Sequence, residues 1–434
     1  MISYSIYKTD SNSLIMKSVY IETYGCSANQ AHSEIMESSL VTNGFRITKE
    51  IGRADIVIVN SCIVKSPTEN KIRERIKSFV GRHPDKRLVI AGCAADTGIF
   101  RDIAPDAIFL SSHKSKDIAG LFLDSIRESE KRIRKNPLVG ITEIASGCLG
   151  NCSYCMVKLA RGDLVSRPLK EIKKEVKNFL KGGCREIWIT SQDCGCYGLD
   201  IGTNLAELLK DLVRIKGYFR IRVGMMNPTH VKPILNKLID VYKNPKIYKF
   251  VHIPVQSGSD KILKKMNRGY RTKDFEKMVR KFRSEFPSIT LSTDVIVGFP
   301  GETEKDFERT VGLIKKVKPD IVNLSKFGPR PKTLASEMKQ LDGKTIKKRS
   351  IIMADVIREI VFERNKRLVK RKFSVLVNKK GKKNGQFIGR NEYYKPVVLV
   401  SKKNIMGKFL RVGITSAGNT YLNGRILKRQ KAHH

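Results

Sequence analysis

Cys148, Cys152 and Cys155 stand in the stretch Gly147-Cys-Leu-Gly-Asn-Cys-Ser-Tyr-Cys155, a C-x3-C-x2-C spacing. Three thiolates this close can each hold one iron of a cubane iron–sulfur cluster. The fourth iron then has no local cysteine. An open iron can bind a substrate or cofactor, whereas four protein thiolates usually close a site for electron transfer or structure. Zinc and chance clustering are the competing readings. Zinc sites usually pair a C-x2-C with a second C-x2-C or an H-x3-H, and neither follows here.

Three further cysteines share one place in a repeating pattern. Residues 19–23, 55–60 and 87–91 are strand-like, and Cys26, Cys62 and Cys93 closely follow them. Near-continuous apolar strands alternating with helices predict a parallel sheet covered on both faces. The helix after Cys62 has a start signal: Ser66 as N-cap, Pro67 at the first helical position and Glu69 completing a capping box. Ligand sites in open parallel sheets lie beyond the carboxyl ends of the strands. A single cysteine there is usually core packing; three in register predict a second metal site.

A charged stretch, 125–135, precedes a second β/α series, with candidate strands at 141–145, 186–190, 219–224, 250–255, 290–297 and 321–326. Six such units predict a partial (β/α) barrel with its chemistry at the strand C-terminal ends, where the C-x3-C-x2-C loop falls. A helix is expected over 345–370. After it come short β-rich runs at 373–377, 395–400, 409–412 and 425–427, with turn signals at Asn384-Gly385 and Asn423-Gly424. A small β-barrel fits that length. The predicted architecture is therefore α/β with three domains: 1–130, a parallel α/β domain; 131–366, the partial barrel; and 367–434, the β-domain.

The chain has 434 residues, 41% of them hydrophobic, enough for buried cores. Lys and Arg number 84 against 42 Asp and Glu, a formal net charge of +42. That excess favours a polyanionic partner, most often nucleic acid, over a generically solvated surface. No apolar run reaches the roughly 18–20 residues that cross a bilayer, and residues 1–18 show no secretory h-region. Nine cysteines without a disulfide-scaffold spacing suit a reducing cytoplasm.

With Tyr154 just before its last cysteine, the C-x3-C-x2-C loop resembles the radical S-adenosylmethionine (SAM) enzymes. Adding Cys26, Cys62, Cys93 and the basic β-domain, residues 17–428 resemble the radical-SAM methylthiotransferases. Asn60-Ser-Cys-Ile-Val-Lys-Ser-Pro67, Thr190-Ser-Gln-Asp193, His252-Ile-Pro-Val-Gln-Ser-Gly258 and Thr293-Asp-Val-Ile-Val-Gly-Phe-Pro-Gly-Glu-Thr303 are most similar to the archaeal and eukaryotic branch acting on threonylcarbamoyladenosine in tRNA. The β-domain resembles the TRAM RNA-binding module. The resemblance implies two 4Fe–4S clusters, an auxiliary one on Cys26, Cys62 and Cys93 and a SAM-binding one on Cys148, Cys152 and Cys155. It also implies insertion of a methylthio group at C2 of the modified adenosine at tRNA position 37. One SAM would methylate a sulfur held on the auxiliary cluster; a second, reductively cleaved, would give a radical that activates the C2–H bond. No side-chain base removes an unactivated aryl proton at neutral pH, so a cofactor must supply that reactivity. A reducing electron donor and a sulfur source are implied partners.

Within that resemblance Tyr154 lies near the SAM adenine, and Gln192, Gln256, Ser257 and Asp294 are strand-end candidates for polar SAM contacts. Each of the four reads equally as a satisfied core polar group. Arg161 is a candidate for facing a carboxylate or phosphate. Phe327-Gly-Pro-Arg-Pro-Lys-Thr333 resembles the family's barrel-end motif, except that Lys332 stands where glycine is usual. Arg371, Lys372, Arg390, Tyr393 and Lys395 are candidate RNA contacts, in a basic stripe with aromatics that suit backbone binding and base stacking. Cys184, Cys194 and Cys196 are left over: Cys194-x-Cys196 reads as incidental packing or, at its strand end, as a sulfur shuttle. The same chemistry on isopentenyladenosine or a ribosomal-protein aspartate, and a non-catalytic metal-containing RNA-binding protein, are the alternatives.

Overall fold

A computed structural model describes residues 17–63, 66–129 and 131–427. The expectation of no secretory h-region over residues 1–18 falls, apart from residues 17 and 18, outside the described residues, as do residues 428–434. The chain forms two compact units. The smaller takes in residues up to Gly25, His32–Cys62 and Pro67–Ile133; the larger takes in Cys26–Ala31, Ile63–Ser66 and the chain from Arg134 onward.

The smaller unit is built on a five-stranded sheet of β1 (Ser18–Thr23), β2 (Arg46–Ile47), β3 (Ile56–Ser61), β4 (Arg87–Gly92) and β5 (Ile108–Leu110), ordered β2-β1-β3-β4-β5. Every pairing is parallel. All six residues of β3 are buried, which is why it reads as a continuous apolar run rather than an alternating one. Helices α1 (Ser27–Thr42), α2 (Ser66–Arg82) and α3 (Cys93–Thr97) follow β1, β3 and β4. Helix α2 begins at Ser66, one residue earlier than expected, with Pro67 and Glu69 in its first turn; the Ser66 side chain is outside the described residues.

The larger unit begins with six parallel strands: β6 (Val139–Glu143), β9 (Glu186–Thr190), β10 (Arg220–Val223), β11 (Phe250–His252), β12 (Thr290–Val297) and β13 (Ile321–Lys326). They form triplets β6-β9-β10 and β11-β12-β13. Parallel bridges Ile221–Ile247 and Met225–His252 join the two, so spatial order follows chain order, as in an open barrel. A short antiparallel pair, β7 (Ala145–Ser146) and β8 (Val165–Ser166), flanks the cysteine loop and α4 (Val157–Arg161). Helices α5 (Leu169–Lys181), α6 (Leu205–Val213), α7 (Pro228–Tyr242), α8 (Asp260–Lys265), α9 (Thr272–Glu285), α10 (Glu304–Val317), α11 (Leu334–Glu337) and α12 (Gly343–Lys366) complete the β/α series. Ile172, Val176 and Phe179 of α5, at i, i+4 and i+7, are buried in the barrel core, the stripe expected of a helix covering a sheet.

The β-domain is a closed barrel of β14 (Lys372–Lys380), β15 (Gln386–Asn391), β16 (Pro396–Val400), β17 (Phe409–Ala417) and β18 (Leu422–Ile426). Two details depart from the sequence reading. Strand β15 was not expected. And Asn423-Gly424 is no turn but lies inside β18, where a Cβ on Gly424 would come 2.4 Å from Val412 Cγ1, so the glycine serves a close strand approach.

Candidate active site

Beyond β7 the backbone turns at Gly147, with φ +78°; a Cβ there would stand 1.8 Å from the Asp163 carbonyl oxygen. Only glycine accepts that approach. Cys148 N–H then donates to Gly162 O at 3.3 Å, tying the start of the loop to its end. Each sulfur is met by a donor: Gly150 N–H to Cys148 Sγ (3.2 Å), Val157 N–H to Cys155 Sγ (3.4 Å) and Arg268 Nη1 to Cys152 Sγ (3.1 Å). Burial, with Cys152 beside it, pushes the Cys155 thiol up to about 12; burial also raises Cys148. All three are free cysteines. Three half-buried cysteines on one loop, each sulfur provided with an N–H donor, fit a cluster that takes three protein thiolates and keeps one iron open.

A second segment clamps the loop from outside. Ser153 N–H donates to Met266 O (3.1 Å), Ser153 Oγ to Lys265 O (2.8 Å), and Asn267 Nδ2 to Asn151 O (2.6 Å). Tyr154 is half-buried, edge-on to Phe299 with ring centroids 6.3 Å apart, in the cluster of Ile262, Met266, Phe299, Phe327 and Ala335.

The polar candidates at the strand ends divide. Gln192 and Gln256 each hold a buried Oε1 with no donor, and Gln256 keeps its place only through a left-handed backbone at φ +66°. A buried amide oxygen without a partner and a strained backbone together are what a polar ligand site leaves behind. Ser257 is fully buried, its hydroxyl 3.3 Å from Thr310 Oγ1 and accepting from Ser259 N–H at 3.2 Å; it is the satisfied core group of the two readings. Asp294 Oδ1 bonds His252 Nε2 (2.9 Å) and Asn323 Nδ2 (2.7 Å), linking β11, β12 and β13. Arg161 is 2% exposed, with Nη1 3.9 Å from the Glu143 carboxylate and Nη2 donating to Asn29 at 3.0 Å. It does face a carboxylate, an internal one.

Asp193, Cys196 and His230 were not foreseen as a group. Their donor atoms lie within 4.8 Å of one another. Asp193 Oδ1 accepts from Gly195 N–H (2.8 Å) and Asn227 N–H (2.9 Å), and Oδ2 bonds His230 Nδ1 (2.6 Å). With the carboxylate so engaged, the group acts as a brace between the turn after β9 and the start of α7. Burial, then Asp193 and Cys148, push the Cys196 thiol up. Cys194 and Cys196 are fully buried and Cys184 nearly so, which favours packing over a sulfur shuttle. Arg268 was missed as well. Its partner Cys152 lies 116 residues away, and no local spacing announces such a pair.

In the smaller unit, Cys62 follows β3 and Cys93 opens α3 after β4, both buried. Cys26, exposed, precedes α1 after β1. Strands β1, β3 and β4 are neighbours in the sheet, so each cysteine follows the same end of adjacent parallel strands. Gly92, at φ +82°, lets β4 turn into Cys93; a Cβ there would meet Asn60 Oδ1 at 2.4 Å.

The RNA candidates also divide. Arg371 and Lys372 are exposed and Tyr393 is half-buried against Phe373. Arg390 lies over the Tyr394 ring at 4.6 Å. Lys395 departs from expectation: it is 4% exposed, with Nζ 3.1 Å from Asp320 and 2.8 Å from Asn365 Oδ1. The reason is that residues 392–395, which connect β15 to β16, are pressed on the (β/α) barrel. There Tyr394 packs against Tyr248 and Phe250 at 4.9 and 5.1 Å.

Family models agree with this layout. Residues 142–314 match the radical SAM superfamily, 18–103 match uncharacterized protein family UPF0004, and 366–427 match the TRAM domain. The radical S-adenosylmethionine methyltransferase TsrM from Kitasatospora setae superimposes with TM-score 0.54 at 16% identity, over 74% of this chain and 75% of that one. Barrel, loop and family match together define a radical SAM enzyme, a class that uses SAM and a 4Fe–4S cluster. The probable threonylcarbamoyladenosine tRNA methylthiotransferase of Pyrococcus horikoshii is 41% identical, covering 95% of this chain and all of that protein. The Homo sapiens threonylcarbamoyladenosine tRNA methylthiotransferase is 33% identical, over 96% and 75%. This chain belongs to the family of threonylcarbamoyladenosine tRNA methylthiotransferases.

Proposed function

We propose that this protein inserts a methylthio group at C2 of N6-threonylcarbamoyladenosine at tRNA position 37, with domains divided near residues 130 and 366. The observation that carries this reading is the near full-length identity to relatives of that name, on a chain that keeps both cysteine triplets. Cys148, Cys152 and Cys155 would hold the SAM-binding cluster; Cys26, Cys62 and Cys93 would hold the auxiliary one. When bound, these groups supply the radical and the sulfur. The chain's own part is placement. The Gly147 turn and the Ser153 and Asn267 hydrogen bonds fix the loop, while Gln192 and Gln256 offer unpaired amide oxygens to SAM and Tyr154 an aromatic wall for its adenine. Asp294 adds a polar group braced by His252 and Asn323, and Arg161 keeps Glu143 neutralised. Arg371, Lys372, Arg390 and Tyr393 are the proposed tRNA contacts, in a cytoplasmic setting with an external electron donor and sulfur source. No helix among the described residues is long and apolar enough to cross a membrane.

The test is the nucleoside profile of tRNA from cells with and without the gene. The methylthio derivative of threonylcarbamoyladenosine should vanish without it; an unchanged level rejects the reading. Anaerobic reconstitution should bring about eight irons, as two cubane clusters require.

A further inference from the structure

The turn between α8 and α9 carries Arg268 to the cluster loop. Its three nitrogens are all engaged: Nη1 to Cys152 Sγ (3.1 Å), Nη2 to Asn227 Oδ1 (3.1 Å) and Nε to Tyr270 Oη (3.1 Å). The Tyr270 hydroxyl in turn donates to Pro254 O (3.0 Å) and Val255 O (2.9 Å), and Arg268 N–H is held by Leu263 O at 2.9 Å. The guanidinium is thus locked by neutral groups on two sides and aimed at sulfur on the third. Among the described residues no carboxylate pairs with this half-buried guanidinium. The countercharge that geometry provides is the Cys152 sulfur. An arginine stays protonated at any pH the protein experiences.

We infer that Arg268 is a positioning residue that raises the reduction potential of the SAM-binding cluster, through its N–H···S bond to Cys152 and its otherwise unmatched positive charge. Hydrogen bonds to cluster sulfurs and local net charge are the protein's levers on such potentials. Adding an electron makes a cluster more negative, so a fixed cation beside a ligand sulfur stabilises the reduced form more than the oxidised one. The inference rests on Cys148, Cys152 and Cys155 being the cluster ligands, and the iron content of the native chain tests that separately.

The experiment is an EPR-monitored redox titration of the reconstituted protein, native and with Arg268→Gln, Arg268→Met and Arg268→Lys. Gln removes the charge and keeps an N–H donor; Met removes both; Lys keeps the charge and loses the fork. In the Met protein the ratio of reduced to oxidised cluster at a fixed applied potential should fall at least tenfold, a midpoint lower by about 59 mV for a one-electron couple. Gln should fall between Met and native, and Lys should recover most of the native value, with SAM affinity unchanged in all. An unchanged midpoint in Met and Gln overturns the inference. So does weaker SAM binding at native potential, which would make Arg268 a cofactor contact. Lost iron with a native midpoint in whatever cluster remains would make its role purely structural, and also overturns it.

Discussion

Lys332 shows a non-glycine residue held in a glycine-like backbone conformation. The family's barrel-end motif favours glycine there; the lysine adopts φ +62° with its side chain exposed. A left-handed non-glycine residue costs roughly 1–2 kcal/mol, and glycine's extra chain entropy offsets roughly 0.5–1 of that. Lys332→Gly should therefore stabilise the protein by about 0.5–1 kcal/mol, read as a raised denaturant midpoint at constant slope. Gly147 is the opposite case. Gly147→Ala would place a methyl 1.8 Å from the Asp163 carbonyl, so the loop must move. The reconstituted variant should lose about half its iron while keeping native far-UV dichroism; full iron would show that the turn is dispensable. Cys148, Cys152 and Cys155 were legible because they sit within eight residues of sequence, and Cys26, Cys62 and Cys93 because each closely follows a strand. Arg268 was not, because its meaning depends on a fold that brings distant segments together.

Among the elements, α10 carries a pH-dependent cap that only the structure revealed. Thr303 Oγ1 and N–H both donate to Asp306 Oδ2, and Ser259 Oγ donates to Oδ1 at 2.7 Å. Burial opposes ionisation of Asp306, but these hydroxyls, the Thr303 N–H and Lys261 outweigh it and hold the carboxyl at about 2. The unfolded value is about 3.9, so the folded state binds the proton less readily. The stabilisation is complete above pH about 4 and is lost as pH falls through about 2. Asp306→Asn should cost about 1 kcal/mol at neutral pH, and its deficit should narrow in urea titrations taken from pH 4 downward. Strand β15 was invisible as well, and for a physical reason. Gly389 interrupts its alternation, yet a Cβ there would stand 2.4 Å from Val375 Cγ1; the residue that weakens the strand signal is the one that lets the strands close.

On the scale of the larger unit, the β-domain sits against the strand N-terminal ends of the (β/α) barrel. Asn136 before β6 donates to Asn378 O (2.8 Å), and Glu186 at the head of β9 accepts from Asn378 Nδ2. Tyr218 before β10 packs on Phe409 at 4.2 Å, and Lys249 before β11 donates to Glu392 O at 2.8 Å. Asp320 before β13 pairs with Lys395 and, through both oxygens, with Arg364. Burial opposes the Asp320 charge, but those two cations hold its carboxyl below the usual range. Arg364 still pairs both Asp320 oxygens when Lys395 is lost, so Lys395→Ala should cost only about 1.5–3 kcal/mol, the range of a charge-assisted hydrogen bond, and leave the salt dependence of tRNA binding unchanged. Lys372→Ala should do the reverse: native stability, with the slope of log affinity against log salt reduced by about 0.7–0.9. The cysteine loop occupies the other ends of the strands. The β-domain is therefore a floor under the barrel as well as the proposed surface for RNA, and the two duties constrain each other. A lineage could alter the exposed lysines freely, but it could not exchange the module for another without finding a new hydrogen-bond donor for Glu186 and a new cation for Asp320. Substrate choice can drift at the outer face of this domain, while its inner face is inherited with the barrel as one piece.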